Sequence, residues 1–320
     1  MKPKVLITRK ILPEALEYLK KHTQYDIGGE KRNLTKKELL EKIKDKEGIL
    51  TLLVDQIDRE VMDQAPSLKI IANCAVGYNN IDIGYAKQKG IMVTNTPGIL
   101  TETTADLTMA LIMAVSRKIV PADAFTRRKN FKGWEIDLFL GKEVTGKRLG
   151  IIGMGRIGKA VALRAQGFRM DTVYSDPRIL TPEEENKYKA AYLPLDELLS
   201  TSDIVTIHTV LNSETHHLVS KHKLSLMKKD AILVNVSRGP VVEERALAEA
   251  LEKKQIWGAG LDVYEREPEI EEKLYSLDNA VLLPHIGSAT YETRLKMSMM
   301  AAKNLVQGLQ GETPDNLVTQ

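Results

Sequence analysis

The residues of this 320-residue chain best suited to chemistry are few and far apart: Arg238, Asp262, Glu267 and His285, each at or shortly after an apolar run. An imidazole such as that of His285 can protonate a carbonyl oxygen as hydride arrives at the carbon, an effect worth on the order of 10² to 10⁴ in rate. A carboxylate on the other ring nitrogen, the role open to Glu267, favours the imidazolium and fixes the ring. A guanidinium at Arg238 binds a substrate carboxylate and can polarise the reacting carbonyl. Brought together beside a nicotinamide, the set specifies hydride transfer to a 2-oxo acid.

The nicotinamide has its own signature. Gly153-Met154-Gly155-Arg156-Ile157-Gly158 follows an apolar run ending at Ile152 and opens a helical stretch carrying Ala160, Ala162 and Ala165. In such a loop the first glycine makes the tight turn and the second lets the backbone approach a pyrophosphate. The third lets helix and strand pack closely, while the helix N-terminus supplies amide donors and a positive dipole. Asp176 lies 18 residues beyond Gly158, near the spacing at which a carboxylate accepts hydrogen bonds from an adenosine ribose. A carboxylate there repels a 2′-phosphate, so NAD with NADH preferred over NADPH is the expected cofactor. Arg178, two residues on, pulls the other way.

These residues need a scaffold, and the hydrophobic pattern supplies one. Residues 5–7, 49–53, 68–72 and 91–93 read as short strands, with helices over 13–22, 36–43 and 81–89. Thr35 followed by Glu38 is a capping box. A second alternating series runs 148–152, 172–174, 203–208, 231–236, 258–263 and 280–283, with helical stretches between. Strands separated by helices imply parallel pairing with right-handed crossovers, hence an α/β protein. In such sheets ligands bind beyond the carboxyl ends of the strands, where the four polar residues fall. Between the two series, residues 101–118 form a helix apolar nearly all round, and residues 121–146 read as an irregular arm. After His285 only 35 residues remain, too few for a domain, so this tail with its helix over 290–308 is expected to rejoin the first series.

Composition narrows the field further. With 46 basic against 43 acidic side chains, nothing points to nucleic acid. The single cysteine, Cys74, allows no internal disulfide and fits a reducing cytoplasm. The leading apolar run, 5–7, is too short for a signal peptide. The most apolar stretch, 107–115, is less than half of the roughly 20 residues that a membrane span requires. The adjacent His216 and His217 have no cysteine or carboxylate at ligand spacing, so no metal is expected.

Several segments, in order, resemble the D-isomer-specific 2-hydroxyacid dehydrogenases, most closely their glyoxylate/hydroxypyruvate reductase group. They are Ala75-Val76-Gly77-Tyr78-Asn79-Asn80-Ile81-Asp82, Thr96-Pro97-Gly98 with residues 101–107, and the glycine loop. Asn235-Val236-Ser237-Arg238-Gly239-Pro240, Leu261-Asp262-Val263-Tyr264-Glu265-Arg266-Glu267-Pro268 and Pro284-His285-Ile286-Gly287-Ser288-Ala289-Thr290 complete the series. The resemblance implies that Arg238, Glu267 and His285 are catalytic and that the backbone at Val76 and Gly77 holds the substrate carboxylate. It further implies that Thr104, Arg156, Ile157, Asp176, Val236, Ser237, Asp262 and Ser288 surround the cofactor. The implied architecture is a Rossmann-type doubly wound parallel sheet over residues 100–287, inserted into a flavodoxin-like α/β substrate domain of residues 1–99 and 288–320. A homodimer with residues 121–146 in its interface is implied as well.

The chain departs from the family's habit at Val210, where proline is usual, and at Asn79, where aspartate is usual. Asp176 resembles NAD-preferring members, whereas many glyoxylate reductases carry a serine-arginine pair there. Glu267 sets formate dehydrogenases aside, since they carry glutamine. Leu53-Val54-Asp55-Gln56 lacks the arginine expected of a phosphoglycerate dehydrogenase. D-lactate, D-glycerate and 2-ketogluconate reductases remain alternatives within the family. The NAD-responsive, peptide-binding corepressors that share the scaffold are the alternative of a different class.

Overall fold

The computed structural model describes residues 1–30 and 32–319; Lys31 and Gln320, the latter ending the expected 288–320 segment, lie outside the described residues. The chain divides into two compact α/β units, Met1–Leu100 with Ser288–Gln320, and Thr101–Gly287.

In the first unit, β1 (Lys4–Arg9), β2 (Gln24–Gly29), β3 (Gly48–Thr51), β4 (Ile70–Asn73) and β5 (Met92–Thr94) form one sheet in the order β2-β1-β3-β4-β5. All four pairings are parallel. β3 and β4 are buried throughout, which explains their unbroken apolar runs. The helix Tyr291–Leu309 returns to this unit and packs Met297, Ala301, Ala302 and Leu305 with Ile7, Leu50 and Ile70. A Cβ on Gly308 would lie 2.4 Å from Ile70 Cδ1, so the missing side chain lets the helix lie close against the sheet. Beyond it, Leu317 makes an antiparallel bridge to Thr94, and the Val318 amide donates to Val93 O at 2.7 Å, covering the β5 edge.

The second unit carries β6 (Arg148–Ile152), β7 (Asp171–Ser175), β8 (Ala190–Tyr192), β9 (Ile204–Ile207), β10 (Ile232–Asn235), β11 (Gly258–Leu261) and β12 (Ala280–Leu282). Their order is β12-β11-β10-β9-β6-β7-β8, again entirely parallel. The chain turns from one half of the sheet to the other between β6 and β9, the switch point where doubly wound sheets bind ligands. The helix Thr101–Ser116 packs on β11, where Gly258 and Gly260 leave room for it: a Cβ on Gly258 would fall 2.8 Å from Val115 Cγ1. Among the described residues no helix is long and apolar enough to cross a membrane.

Besides β8, a three-residue edge strand in a gap that the sequence reads as helical, and the short helix Arg59–Asp63, two further elements differ from the sequence expectation. β2, Gln-Tyr-Asp-Ile-Gly-Gly, is half-exposed at a sheet edge, so it lacks the apolar pattern that marks its neighbours. Within the expected irregular arm, Ile119–Arg127 is a helix, with Pro121 in its first turn, where a missing amide hydrogen costs nothing.

Candidate active site

The glycine loop joins β6 to the helix Arg156–Gly167. Gly153 has φ +94°, and a Cβ there would meet the Thr209 backbone nitrogen at 2.7 Å. A Cβ on Gly158 would lie 2.2 Å from Gly153 O, so this glycine is required by the protein itself. Gly155 differs: among the described residues, no atom beyond its two chain neighbours lies within 4 Å of its ideal Cβ. It is the N-cap of the helix, and no side chain caps the amides that follow. An uncapped helix start beside a glycine with open space is what a dinucleotide pyrophosphate requires. Arg156 is exposed and Ile157 half-buried at this turn. Asp176, just past β7, accepts from the Met154 amide at 2.7 Å and the Arg178 amide at 2.8 Å. The Arg178 guanidinium lies instead on Glu184, at 3.5 Å.

The Rossmann-unit candidates gather beyond the carboxyl ends of β10, β11 and β12. His285 Nδ1 lies 2.8 Å from Glu267 Oε2. The other oxygen of Glu267 accepts from the Tyr264 amide at 3.1 Å. Burial opposes ionisation of Glu267, but the His285 bond and charge, the Tyr264 amide and the Arg238 charge outweigh it, so its carboxyl titrates below the usual range. This stabilisation is therefore fully present above the ordinary value of 4.5 and is lost as pH falls through the lowered one. Arg238 is partly buried, which eases loss of its proton, while the negative charge of Glu267 opposes that loss.

Backbone devices aim these side chains. Asn235, ending β10, accepts from the Ser237 amide at 3.1 Å and donates to Arg238 O at 3.0 Å, fixing the turn that carries the arginine. Gly239 touches the next loop so closely that a Cβ would fall 1.8 Å from the Tyr264 carbonyl carbon. His285 has φ +55°, and Asp262 holds that turn by accepting from the Ile286 and Gly287 amides, each at 2.7 Å. Desolvation pushes the Asp262 carboxyl above its usual range despite those amides and the nearby His285. Thr104, buried on the helix Thr101–Ser116, donates to Gly287 O at 3.1 Å, and Val236 and Ser237 are buried beside β10.

Val76, Gly77 and Ser288 belong to the other unit. There Asn95 donates to Val76 O at 2.8 Å and Asn73 to Gly77 O at 2.9 Å, holding both peptide units from their carbonyl side. Sequence reasoning missed these asparagines, whose only signal was their place just after apolar strands. Cys74 is buried and its thiol is pushed up to about 11 by desolvation, so it is unreactive.

Three other histidines exceed what the sequence disclosed. His208, just past β9 and beside Gly153, has both ring nitrogens buried without a hydrogen-bond partner, and desolvation lowers its pKa to about 3. Such orphaned polar atoms beside the glycine loop also fit a bound dinucleotide. The expectation of no carboxylate near His216 and His217 is corrected: Glu265 Oε1 lies 2.8 Å from His217 Nε2, and the three residues bring ligand-type atoms within 4.8 Å. The 48-residue separation of His217 and Glu265 hid that contact.

A sheet of this topology with this loop is a dinucleotide-binding fold. The family model for the D-isomer specific 2-hydroxyacid dehydrogenase NAD binding domain matches residues 109–287. A glyoxylate reductase of Thermococcus onnurineus (strain NA1) is 47% identical over 324 aligned residues, covering 100% of this chain and 97% of that protein. The solved TT0316 protein of Thermus thermophilus superposes with a TM-score of 0.92 at 43% identity, covering 98% of this chain and 99% of that one. An NADPH-dependent glyoxylate/hydroxypyruvate reductase of Sinorhizobium meliloti, solved with NADP and malonate, gives 0.87 at 30% identity over 99% and 97% of the two chains. The chain is an NAD(P)-dependent enzyme and belongs to the D-isomer-specific 2-hydroxyacid dehydrogenase family, as its motifs led us to expect.

The glycines separate fold from binding. Gly155→Ala should leave the thermal unfolding midpoint unchanged but weaken NADH binding about tenfold or more, read by fluorescence titration, because the new methyl meets open space in the protein but would block the approach of a pyrophosphate to this backbone. Gly158→Ala should lower both. Unaltered NADH affinity in Gly155→Ala would remove the pyrophosphate from this loop.

Proposed function

We propose that the protein reduces a short 2-oxo acid of the glyoxylate/hydroxypyruvate type to the D-2-hydroxy acid, with NADH as its preferred cofactor. The observation that carries this reading is the 2.8 Å contact of His285 Nδ1 with Glu267, with the Arg238 charge acting on the same carboxylate. When bound, the reduced nicotinamide supplies the hydride that the carbonyl carbon accepts. Glu267 keeps a proton on Nδ1, so Nε2 is the nitrogen that donates a proton to the carbonyl oxygen. After transfer the ring is neutral and still held by Glu267. Arg238 anchors the substrate carboxylate. The name of the Thermococcus relative supports the substrate class.

NADH preference rests on Asp176. Two backbone amides fix its carboxylate, so it cannot swing away from a 2′-phosphate without losing both bonds. The Sinorhizobium relative, by contrast, is NADPH-dependent. A homodimer is supported by the apolar side chains of Ile119, Val120, Phe131, Trp134, Ile136 and Leu140, all exposed on and after the helix Ile119–Arg127.

His285→Ala should lower kcat for glyoxylate by about 10²- to 10⁴-fold while NADH still binds; near-normal turnover would remove the ring from the mechanism. In Asp176→Ser the ratio of kcat/KM with NADH to that with NADPH should fall, and an unchanged ratio would mean that the ribose is read elsewhere. Light scattering should return twice the 35.8 kDa chain mass, and a monomer for Trp134→Glu with Ile136→Glu; a monomeric wild type would overturn the dimer.

A further inference from the structure

Glu244 has no part in the chemistry described so far, yet it is a carboxylate only 7% exposed at the start of the helix Glu244–Glu252. Burying such a group without partners is costly, so its contacts show what it is for. Its Oε2 accepts from the Glu265 amide at 2.5 Å and its Oε1 from the Glu271 amide at 2.7 Å. Those amides bracket the loop that contains Glu267. The Glu244 amide, which has no partner within its own helix, donates back to Glu265 Oε2 at 3.2 Å, and His217 holds Glu265 Oε1. Two of the four bonds thus reach the loop through the Glu265 side chain, which stands two residues before Glu267. Within the loop the Glu269 amide donates to Arg266 O at 2.9 Å, closing a turn around Glu267. Gly239, pressed against Tyr264 and Glu265, borders the loop on the Arg238 side.

We propose that Glu244 is a positioning residue for reduction: by stapling both ends of the 265–271 loop, its carboxylate holds Glu267 at hydrogen-bond distance from His285. This rests on the roles proposed above for Glu267 and His285. Neither end of the loop is held by regular secondary structure alone, because β11 ends at Leu261 and the next short helical turn starts at Glu272. A displacement of about 1 Å at a catalytic group is enough to cost on the order of a hundredfold in rate. The charged groups facing the couple are Arg238 on the β10 loop and Asp262 on the β11 loop, besides Glu267 and His285 themselves.

Glu244→Gln is nearly isosteric but has one carbonyl oxygen and one NH₂ where two acceptors are needed, so one loop amide faces a donor. In the full-length enzyme with glyoxylate and NADH, this variant should lower kcat about ten- to a hundredfold. KM and NADH affinity should stay within about twofold, because the arginine anchor and glycine loop are untouched. Reduction needs a protonated imidazole, so a slackened carboxylate should move the pH dependence of kcat in the same direction as Glu267→Gln moves it. Glu271→Pro is the second arm. The φ of Glu271 is −54°, which suits proline, and of the four bonds the substitution removes only the one made by the Glu271 N–H, so the same changes should appear at smaller size even if Glu244→Gln does not fold. Folded variants with a wild-type kcat and pH profile, or with reduced kcat but an unmoved profile, would overturn the positioning role while Glu267→Gln still moves the profile. An unmoved profile in Glu267→Gln itself would instead overturn the reading on which the proposal rests.

Discussion

A hydrogen bond of 2.8 Å between His285 Nδ1 and Glu267 Oε2 is the contact around which the rest of the site is organised. The two groups come from different loops, and neither is placed by its own side chain alone. His285 sits in a left-handed turn, an unfavourable backbone state for a residue with a Cβ, held by Asp262 through two amides. Glu267 is held by Tyr264, whose own hydroxyl donates to Leu283 O at 2.9 Å, two residues before the histidine. Environment separates the two nearby carboxylates: burial dominates at Asp262 and raises it, whereas the imidazole and guanidinium lower Glu267. The carboxyl that is pushed down, Glu267, is the one that faces the ring.

Parallel sheets make this convergence possible, because every strand delivers its following loop to the same edge. The approach of neighbouring loops is then set by residues with no side chain. Gly239 brings the arginine loop against Tyr264, and Gly153 brings the dinucleotide loop against the end of β9. The same device recurs in the other unit, where Gly308 brings the C-terminal helix onto β4. These contacts involve backbone or the body of the core, so they have little room to yield.

What the sequence discloses follows from burial and local spacing. Strands buried on both faces, such as β3, β4, β9 and β10, stand out as apolar runs, and the glycine loop is legible because three glycines and a following helix lie within a few residues. The two parallel α/β sheets and the strand-end placement of Arg238 and His285 could be argued from those runs. The half-exposed edge strand β2 and the helix behind Pro121 carried no such pattern. The staples were illegible for a different reason. Glu244 with Glu271, His217 with Glu265 and Asn95 with Val76 are contacts between residues 19 to 48 positions apart, and their residue types are as common on surfaces as in sites. Only the folded chain distinguishes a buried carboxylate on two amides from a solvated one.

The account is tested most directly by a crystal structure of the enzyme with NADH and oxamate, an unreactive analogue of a short 2-oxo acid. It predicts the oxamate carboxylate on the Arg238 guanidinium and its carbonyl oxygen within hydrogen-bond distance of His285 Nε2, with Nδ1 still on Glu267. Oxamate bound out of reach of Nε2, or a His285 ring turned away from Glu267 in that complex, would contradict it.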